Sequence, residues 1–283
     1  MPNFPIVDTH VHLWDPTHLN YPWLADAEKL NRAFLPSDYR VHCGDVQVDQ
    51  MVFLECDLDA TQFLDEAKWV ASLAEDEEPR LKGIVAHAPL HKGDAAKADL
   101  EVLAQVSGVK GVRRLIQGES VGFCVQPDFV AGVQALREFD LSFDLCVFHP
   151  QLANTIALVK QCPNVQFVLD HIGKPGIKDG LFDPWREELK QLAELPNVLC
   201  KVSGVMTEAD HENWTFDEIR PYLDHVFGTF PFDRLMYGGD WPVSTLAIEY
   251  PLWVDTLDKV LAGCSEDELH HFYRDTAISF YKL

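Results

Sequence analysis

Two histidines spaced two residues apart, His10 and His12, are the first side chains in this sequence that could do chemistry together. They lie in Val7-Asp8-Thr9-His10-Val11-His12-Leu13, a largely apolar, β-branched stretch that predicts a strand. Strand side chains alternate between faces, so both imidazoles aim at one point, about 7 Å of chain apart. Converging imidazoles can share a metal ion or grip a polar substrate group. The alternative is two rings satisfied by backbone at the rim of a barrel. Two later stretches, Asp170-His171-Ile172-Gly173 and Gly238-Gly239-Asp240-Trp241-Pro242, also set an ionisable side chain directly after an apolar run.

The elements that must position these groups repeat along the chain. Apolar runs occur at Phe4–Leu13, Gln50–Cys56, Lys82–Leu90, Val109–Ile116, Leu141–Phe148, Val165–His171, Val198–Ser203 and Arg234–Asp240. Near-continuous apolar strands are those buried on both faces, as in a parallel sheet. Helical periodicity fills Thr61–Ala74, Pro127–Phe139, Gln151–Gln161, Pro184–Leu195, Asp217–Phe227, Glu249–Leu261 and Glu266–Tyr281. Eight such units in 283 residues predict an α/β chain folded as a closed (β/α)8 TIM barrel, one domain over 1–283. A doubly wound open sheet is the alternative, but no G-x-G-x-x-G follows the first strand. The long first connection, about 14–49, is rich in Pro, Asn, Tyr and Trp and reads as a loop or cap over the site.

In a barrel the chemistry gathers at the carboxyl ends of the strands. Those ends carry His10 and His12, Glu55, His87, Arg113 and Arg114, His149, His171, Lys201 and Ser203, and Asp240. Unpaired buried charge is expensive, so polar side chains at successive strand ends point to a site. Arg113 and Lys201 suit binding of substrate oxygens or a carboxylate. Equally, they could pair with Glu55 or Asp8 inside the barrel. Glu55 and His87 are further candidates for substrate contact. Asp240 reads either as a general base or as a cap on the following helix.

Composition narrows the partners. Forty-five acidic against 23 basic residues give a formal charge of −22, which repels nucleic acid and anionic membranes. A small-molecule substrate is expected instead, with a homodimer as one option for packing apolar helix faces. Seven cysteines without C-x-x-C spacing argue against a cysteine-built zinc site and predict buried free thiols. The first residues lack the basic-then-apolar pattern of a signal peptide and no apolar run could span a bilayer, so a cytoplasmic protein is expected. The acidic run Glu75-Asp76-Glu77-Glu78 predicts a solvated helix end.

Taken together, Asp8-Thr9-His10-Val11-His12-Leu13-Trp14-Asp15, Leu169-Asp170-His171-Ile172-Gly173-Lys174-Pro175, Lys201-Val202-Ser203-Gly204 and Gly239-Asp240-Trp241-Pro242 resemble the amidohydrolase superfamily. Within it they are similar to the lactonase branch of L-fuconolactonase, L-rhamnonolactonase and pyrone-dicarboxylate lactonase. The resemblance extends to Lys110-Gly111-Val112-Arg113 and Asn20-Tyr21-Pro22-Trp23-Leu24. It implies a (β/α)8 barrel that opens a lactone, such as an aldono-lactone, to the free acid.

The resemblance also implies metal ligands at His10, His12, His171 and Asp240, with one more histidine after strand five, where His149 stands nearby. Binuclear members carry a bridging lysine at the end of strand four. This chain has Arg113 and Arg114 there, and a guanidinium cannot ligate a metal. One Zn²⁺ or other divalent ion, or none, is therefore expected. Asp240 would take a proton from the attacking water, and His171 would protonate the departing ring oxygen. The imidazoles would polarise the carbonyl, directly or through the metal. Trp14 and Trp241 would form an aromatic platform for a sugar ring, with Tyr21 and Trp23 either joining it or packing a cap. Competing readings are a dicarboxylate lactonase, a zinc-dependent decarboxylase of the same superfamily and a non-catalytic sugar-binding barrel.

Overall fold

A computed structural model describes residues 2–283. Its strands are Ile6–Val11 (β1), Val48–Leu54 (β2), Leu81–His87 (β3), Val109–Arg113 (β4), Ser142–Leu145 (β5), Phe167–Leu169 (β6), Val198–Val202 (β7) and Leu235–Tyr237 (β8). They are neighbours in sequence order, and each pairing from β1–β2 to β7–β8 is parallel. The ring closes just beyond β8: Val11 bridges Trp241, the His12 amide donates to the Trp241 carbonyl at 2.8 Å, and the Asp240 amide donates to the His10 carbonyl at 2.8 Å. The fold is a (β/α)8 barrel, and the open-sheet alternative is excluded by this closure.

Helices Pro36–His42 (α1), Phe63–Asp76 (α2), Ala96–Leu103 (α3), Pro127–Ala135 (α4), Leu152–Gln161 (α5), Trp185–Ala193 (α6), Phe216–Thr229 (α7) and Tyr250–Val260 (α8) follow the strands, and Glu266–His270 (α9) and Thr276–Tyr281 (α10) end the chain. Sequence periodicity missed α3, a short helix of eight residues entered through a turn at Leu90–Ala95. The acidic run divides: Glu75, Asp76 and Glu77 are exposed, but Glu78 is buried and pairs with Arg80 at 2.8 Å and Arg40 at 2.9 Å.

The barrel interior has three levels. At the bottom, Val7, Val52, Leu54, Val85, Val168, Leu199 and Met236 pack with Ala277 and Tyr281, so α10 plugs the amino end. Above them lies a wholly buried ionic level of Glu55, Arg113, Asp144, Asp170 and Lys201. The candidate site forms the top. Ions taken from water must be paired tightly to be tolerated. Here Arg113 binds Glu55 at 2.8 Å and Asp170 at 3.2 Å, while Lys201 pairs with Asp144 and stands 3.3 Å from Asp170. Tyr281 donates to Asp144 at 3.1 Å, which ties the plug to the ions.

The first connection supplies part of the upper wall. Trp14 and Phe34 exchange backbone hydrogen bonds of 3.1 and 2.8 Å, folding this segment back on itself. Tyr39 of α1 and Tyr250 of α8 both donate to Asp8 at 2.8 Å. Asp8 also accepts from the amides of His10 (3.0 Å) and Gly239 (2.8 Å), so it fastens β1 to the chain after β8. It pairs with neither Arg113 nor Lys201. Among the described residues no helix is long and apolar enough to cross a membrane. All seven cysteines are free, and six are buried.

Candidate active site

A register shift in β1 between Asp8 and Val11 sets the phase that aims the histidines. Val7 joins the interior below, Val11 and Leu13 pack outward against the helices, and His10 and His12 point in together. Their ring centroids are 5.0 Å apart. His171 joins them, its ring 4.4 Å from that of His10. Asp240 completes the group, with Oδ1 3.4 Å from His12 Nε2 and 3.7 Å from His10 Nε2.

The backbone is unusual where these groups are presented. His171 (φ 53°), Ile172 (φ 51°) and Asp240 (φ 54°) are all left-handed non-glycine residues. Such conformations cost about 1–3 kcal/mol each and persist where surrounding structure holds them. Both β6 and β8 are only three residues long, and the chain then bends sharply enough to lay His171 and Asp240 across the barrel mouth. The Asp240 carbonyl accepts from the Ser244 amide at 2.8 Å, but its side chain serves the histidines and does not cap the following turn.

Hydrogen bonding assigns each ring a direction. His12 Nδ1 lies 2.9 Å from the Leu54 carbonyl, which can only accept, so Nδ1 carries a proton and Nε2 faces Asp240. Asp170 Oδ1 faces His10 Nδ1 at 3.4 Å and orients that ring likewise. Arg113 Nη1 donates to His10 Nε2 at 3.2 Å. Ser203 Oγ is 3.0 Å from His171 Nδ1; a hydroxyl donating there leaves the proton of His171 on Nε2.

Burial disfavours charge on the imidazoles, pulling His10 well below the usual range and His171 down to about 4. Burial works against the carboxylate of Asp240 too, yet His171, His12 and His10 hold it below the usual carboxylate range. Near neutrality the floor is thus an ionised carboxylate among neutral rings at His10 and His171. Asp170 is similar: burial opposes its charge, but Lys201, His10 and Arg113 keep it ionised.

Two overlapping groups could hold a divalent metal: His10, His12 and Asp240, and His10, Asp170 and His171. Within each, the ligand atoms lie within 4.8 Å of one another. The residue types fit, because two imidazoles and a carboxylate converge, a donor set typical of zinc, and His10 Nε2 would exchange its hydrogen bond from Arg113 for the ion. The adjacent Arg113 guanidinium has no acceptor atom and supplies no metal ligand.

Above the floor is a cavity of about 290 Å³, lined by His12, Arg113, His171 and Asp240 together with Trp14, Trp23, Asp57, Gln117, Lys174 and Thr207 among others. Trp14 and Trp23 meet edge to face at 5.3 Å. Their indole nitrogens are spent on the Arg32 and Cys56 carbonyls, both at 2.8 Å; Trp14 is fully buried, and Trp23 keeps ring surface toward the cavity. A wider groove beside it shares Lys174 and Thr207.

Several of the candidate side chains differ in depth from the cavity. Lys201 has no exposed surface and lies in the ionic level, outside the cavity wall. Glu55 sits at that level against Arg113, and His87 is 4.0 Å from Glu55; neither lines the cavity. Trp241 packs behind the wall against Phe34, Tyr39 and His42. β5 ends at Leu145, so His149 falls in a later turn and lines the neighbouring groove, away from the histidine cluster. Arg114 turns outward to Glu119. Sequence reading gave no role to Asp170, although it directly precedes His171 at a strand end, which was the available signal. Lys174 stood unassigned in the same motif, and Asp57 and Gln117 lie in irregular segments with no local signature.

Residues 7–283 match the family described as amidohydrolase. An L-fucono-1,5-lactonase of Burkholderia multivorans is 34% identical over 260 residues, covering 86% of this chain and 84% of that protein. An L-fucono-1,5-lactonase of Burkholderia ambifaria is 29% identical over 247 residues, covering 85% and 81%. A crystal structure of an amidohydrolase from Burkholderia multivorans with bound zinc superposes with a TM-score of 0.88 at 29% identity, covering 99% of this chain and 100% of the other.

Proposed function

Because this chain belongs to the amidohydrolase family, we propose that it is a hydrolase that opens an uncharged sugar lactone to its free acid. The observation that carries this reading is Asp240, an ionised carboxylate held among His10, His12 and His171 on the floor of a cavity with two indole rings in its wall. Asp240 accepts a proton from water as the water oxygen bonds to the lactone carbonyl carbon. The Nε2–H of neutral His171 donates to the carbonyl oxygen as it gains charge. The ring C–O bond then breaks, and protonated Asp240 returns its proton to the departing alkoxide. A carboxyl group held to low pKa is a strong donor for that step. This reassigns the proton that the sequence reading gave to His171, whose ring is neutral above about pH 4.

His10, His12 and Asp240 would hold one divalent ion, zinc by the character of the donors. When bound it supplies Lewis acidity at the carbonyl oxygen. Metal analysis of purified protein is expected to return no more than one ion per chain. A stoichiometry near two would contradict the exclusion of a second site by Arg113.

Charge favours a neutral substrate over a dicarboxylate. The charge of Arg113 is balanced by Glu55 and Asp170, Arg114 points away, and Lys174 stands 3.7 Å from Glu208. Trp23, half-buried in the cavity wall, offers ring surface for the C–H side of a sugar ring. A panel of sugar lactones followed by acid release, with and without chelator, tests the assignment. Activity on pyrone dicarboxylates alone would overturn it.

Gly204 gives a sharper test of the geometry. It is left-handed (φ 55°), and a Cβ there would lie 2.4 Å from His171 Nδ1 and 2.8 Å from Asp240 Oδ2. Gly204→Ala must displace one or both, and a displacement of about 1 Å can cost about 100-fold in rate. A loss of that order in kcat is expected from steady-state kinetics; activity within threefold of wild type would show that the pair need not be held so closely.

A further inference from the structure

The cavity is lined by two cationic side chains, Arg113 and Lys174, and they differ in what they have left to give. Arg113 commits four of its five N–H donors within the protein, Nε on Glu55, both of Nη1 on Asp170 and His10, and one of Nη2 on the Glu55 carbonyl, so a single hydrogen is left. The ammonium of Lys174 makes one hydrogen bond, 2.7 Å to Gln117 Oε1, and Glu208 Oε1 stands at 3.7 Å. An ammonium has three donors, so Lys174 retains hydrogens for a ligand. Its side chain is 14% exposed, at the seam between the cavity and the wider groove.

Its placement is fixed from two sides. Lys174 closes the turn that presents His171, its amide donating to the His171 carbonyl at 2.9 Å. The backbone there is left-handed (φ 43°), where glycine would be free of strain. Trp23 is anchored to the Cys56 carbonyl just after β2, whereas Lys174 follows β6. Those strands are four apart in a ring of eight, so the ammonium and the indole wall face each other across the mouth.

We propose that Lys174, steadied by Gln117, is a specificity-determining residue that donates a hydrogen bond to one hydroxyl of the bound lactone, on the side of the ring facing away from Trp14 and Trp23. The assignment rests on the lactonase reading above and names how that site selects its substrate. The proximity of Glu208 offsets the lysine charge, which suits a hydroxyl acceptor better than a carboxylate. A site built to bond a hydroxyl discriminates strongly against the analogue lacking it, because its polar groups are left unpaired.

The test is a set of sugar lactones that differ by one hydroxyl at a time, with unsubstituted δ-valerolactone as the baseline. Wild type should lose about 10-fold to about 100-fold in kcat/KM on the one deoxy-lactone that lacks the bound hydroxyl. Lys174→Met should show the same loss on the parent lactone, carried mainly by KM, and no further loss on that deoxy-lactone or on δ-valerolactone. Lys174→Arg should restore part of the difference, and Gln117→Leu should shift the ranking in the same direction by less. Identical lactone rankings in wild type and Lys174→Met overturn the proposal. Should that variant fail to fold, unchanged rankings in both Lys174→Arg and Gln117→Leu overturn it instead. A wild-type enzyme active on lactones but with an unshifted ranking removes this assignment alone; one that opens no lactone removes the lactonase reading and this assignment with it.

Discussion

Replacing Asp240 with asparagine is expected to lower kcat by about three orders of magnitude, within the range that a positioned general base contributes, while leaving the fold intact. The structural side of this expectation follows from what Asp240 touches. Its backbone links, to the His10 carbonyl and from the Ser244 amide, survive the substitution. Asparagine tolerates the left-handed backbone better than most residues. Its side-chain amide carries both a donor and an acceptor for His12 Nε2, where the carboxylate now stands 3.4 Å away. The chemical side is lost entirely, because an amide takes no proton from water near neutrality. Thermal unfolding close to wild type together with kcat near background is the expected pair of results. A variant retaining a tenth of wild-type kcat would sink the assignment of Asp240 as base. The same electrostatics set the pH profile. Asp240 lies below the usual carboxylate range and His171 is down at about 4, so neither changes charge between about pH 5 and about pH 8, where kcat/KM should be level in these two groups.

Arg113→Met is expected to give the largest loss of stability, about 3–5 kcal/mol, because breaking a buried ion pair strands its partners. Glu55 would keep only a backbone amide and His87 at 4.0 Å, and Asp170 would keep Lys201 at 3.3 Å. Burial already works against the charge of Glu55, and it is Arg113, chiefly, that brings its carboxyl below the ordinary value. Lysine is no substitute, since one ammonium cannot reproduce the fork that reaches Glu55, Asp170 and His10 together. Urea unfolding measures the effect. Arg114→Met serves as the control next door: its Glu119 partner is partly exposed, and a loss of at most about 1 kcal/mol is expected. Equal losses at the two positions would refute the view that Arg113 is the keystone of the ionic level. A large loss at Arg113 has a functional reading too, since the side chain lies beneath the cavity and orders His10 from below.

The sequence by itself determined the repeating strand–helix order, the pairing of His10 with His12, and the positions of His171 and Asp240 at strand ends. Each follows from a local rule: apolar runs make buried strands, alternation fixes which side chains share a face, and strand ends in a barrel collect at one mouth. The tertiary structure alone decided depth. Lys201 alternates inward as its sequence predicts, yet lies one level too low to meet a substrate, and Glu55 lies beside Arg113 at that same level. Trp241 adjoins Asp240 in sequence but faces the helices instead of the cavity. Alternation says which face a residue takes; how far up the barrel it stands depends on stagger between strands, which local spacing does not encode. The same holds for Arg113 over Arg114 and for Lys174. Which cation is neutralised by two buried carboxylates and which keeps most of its hydrogens free is settled by partners 50 or more residues away, and only the closed barrel brings those partners together.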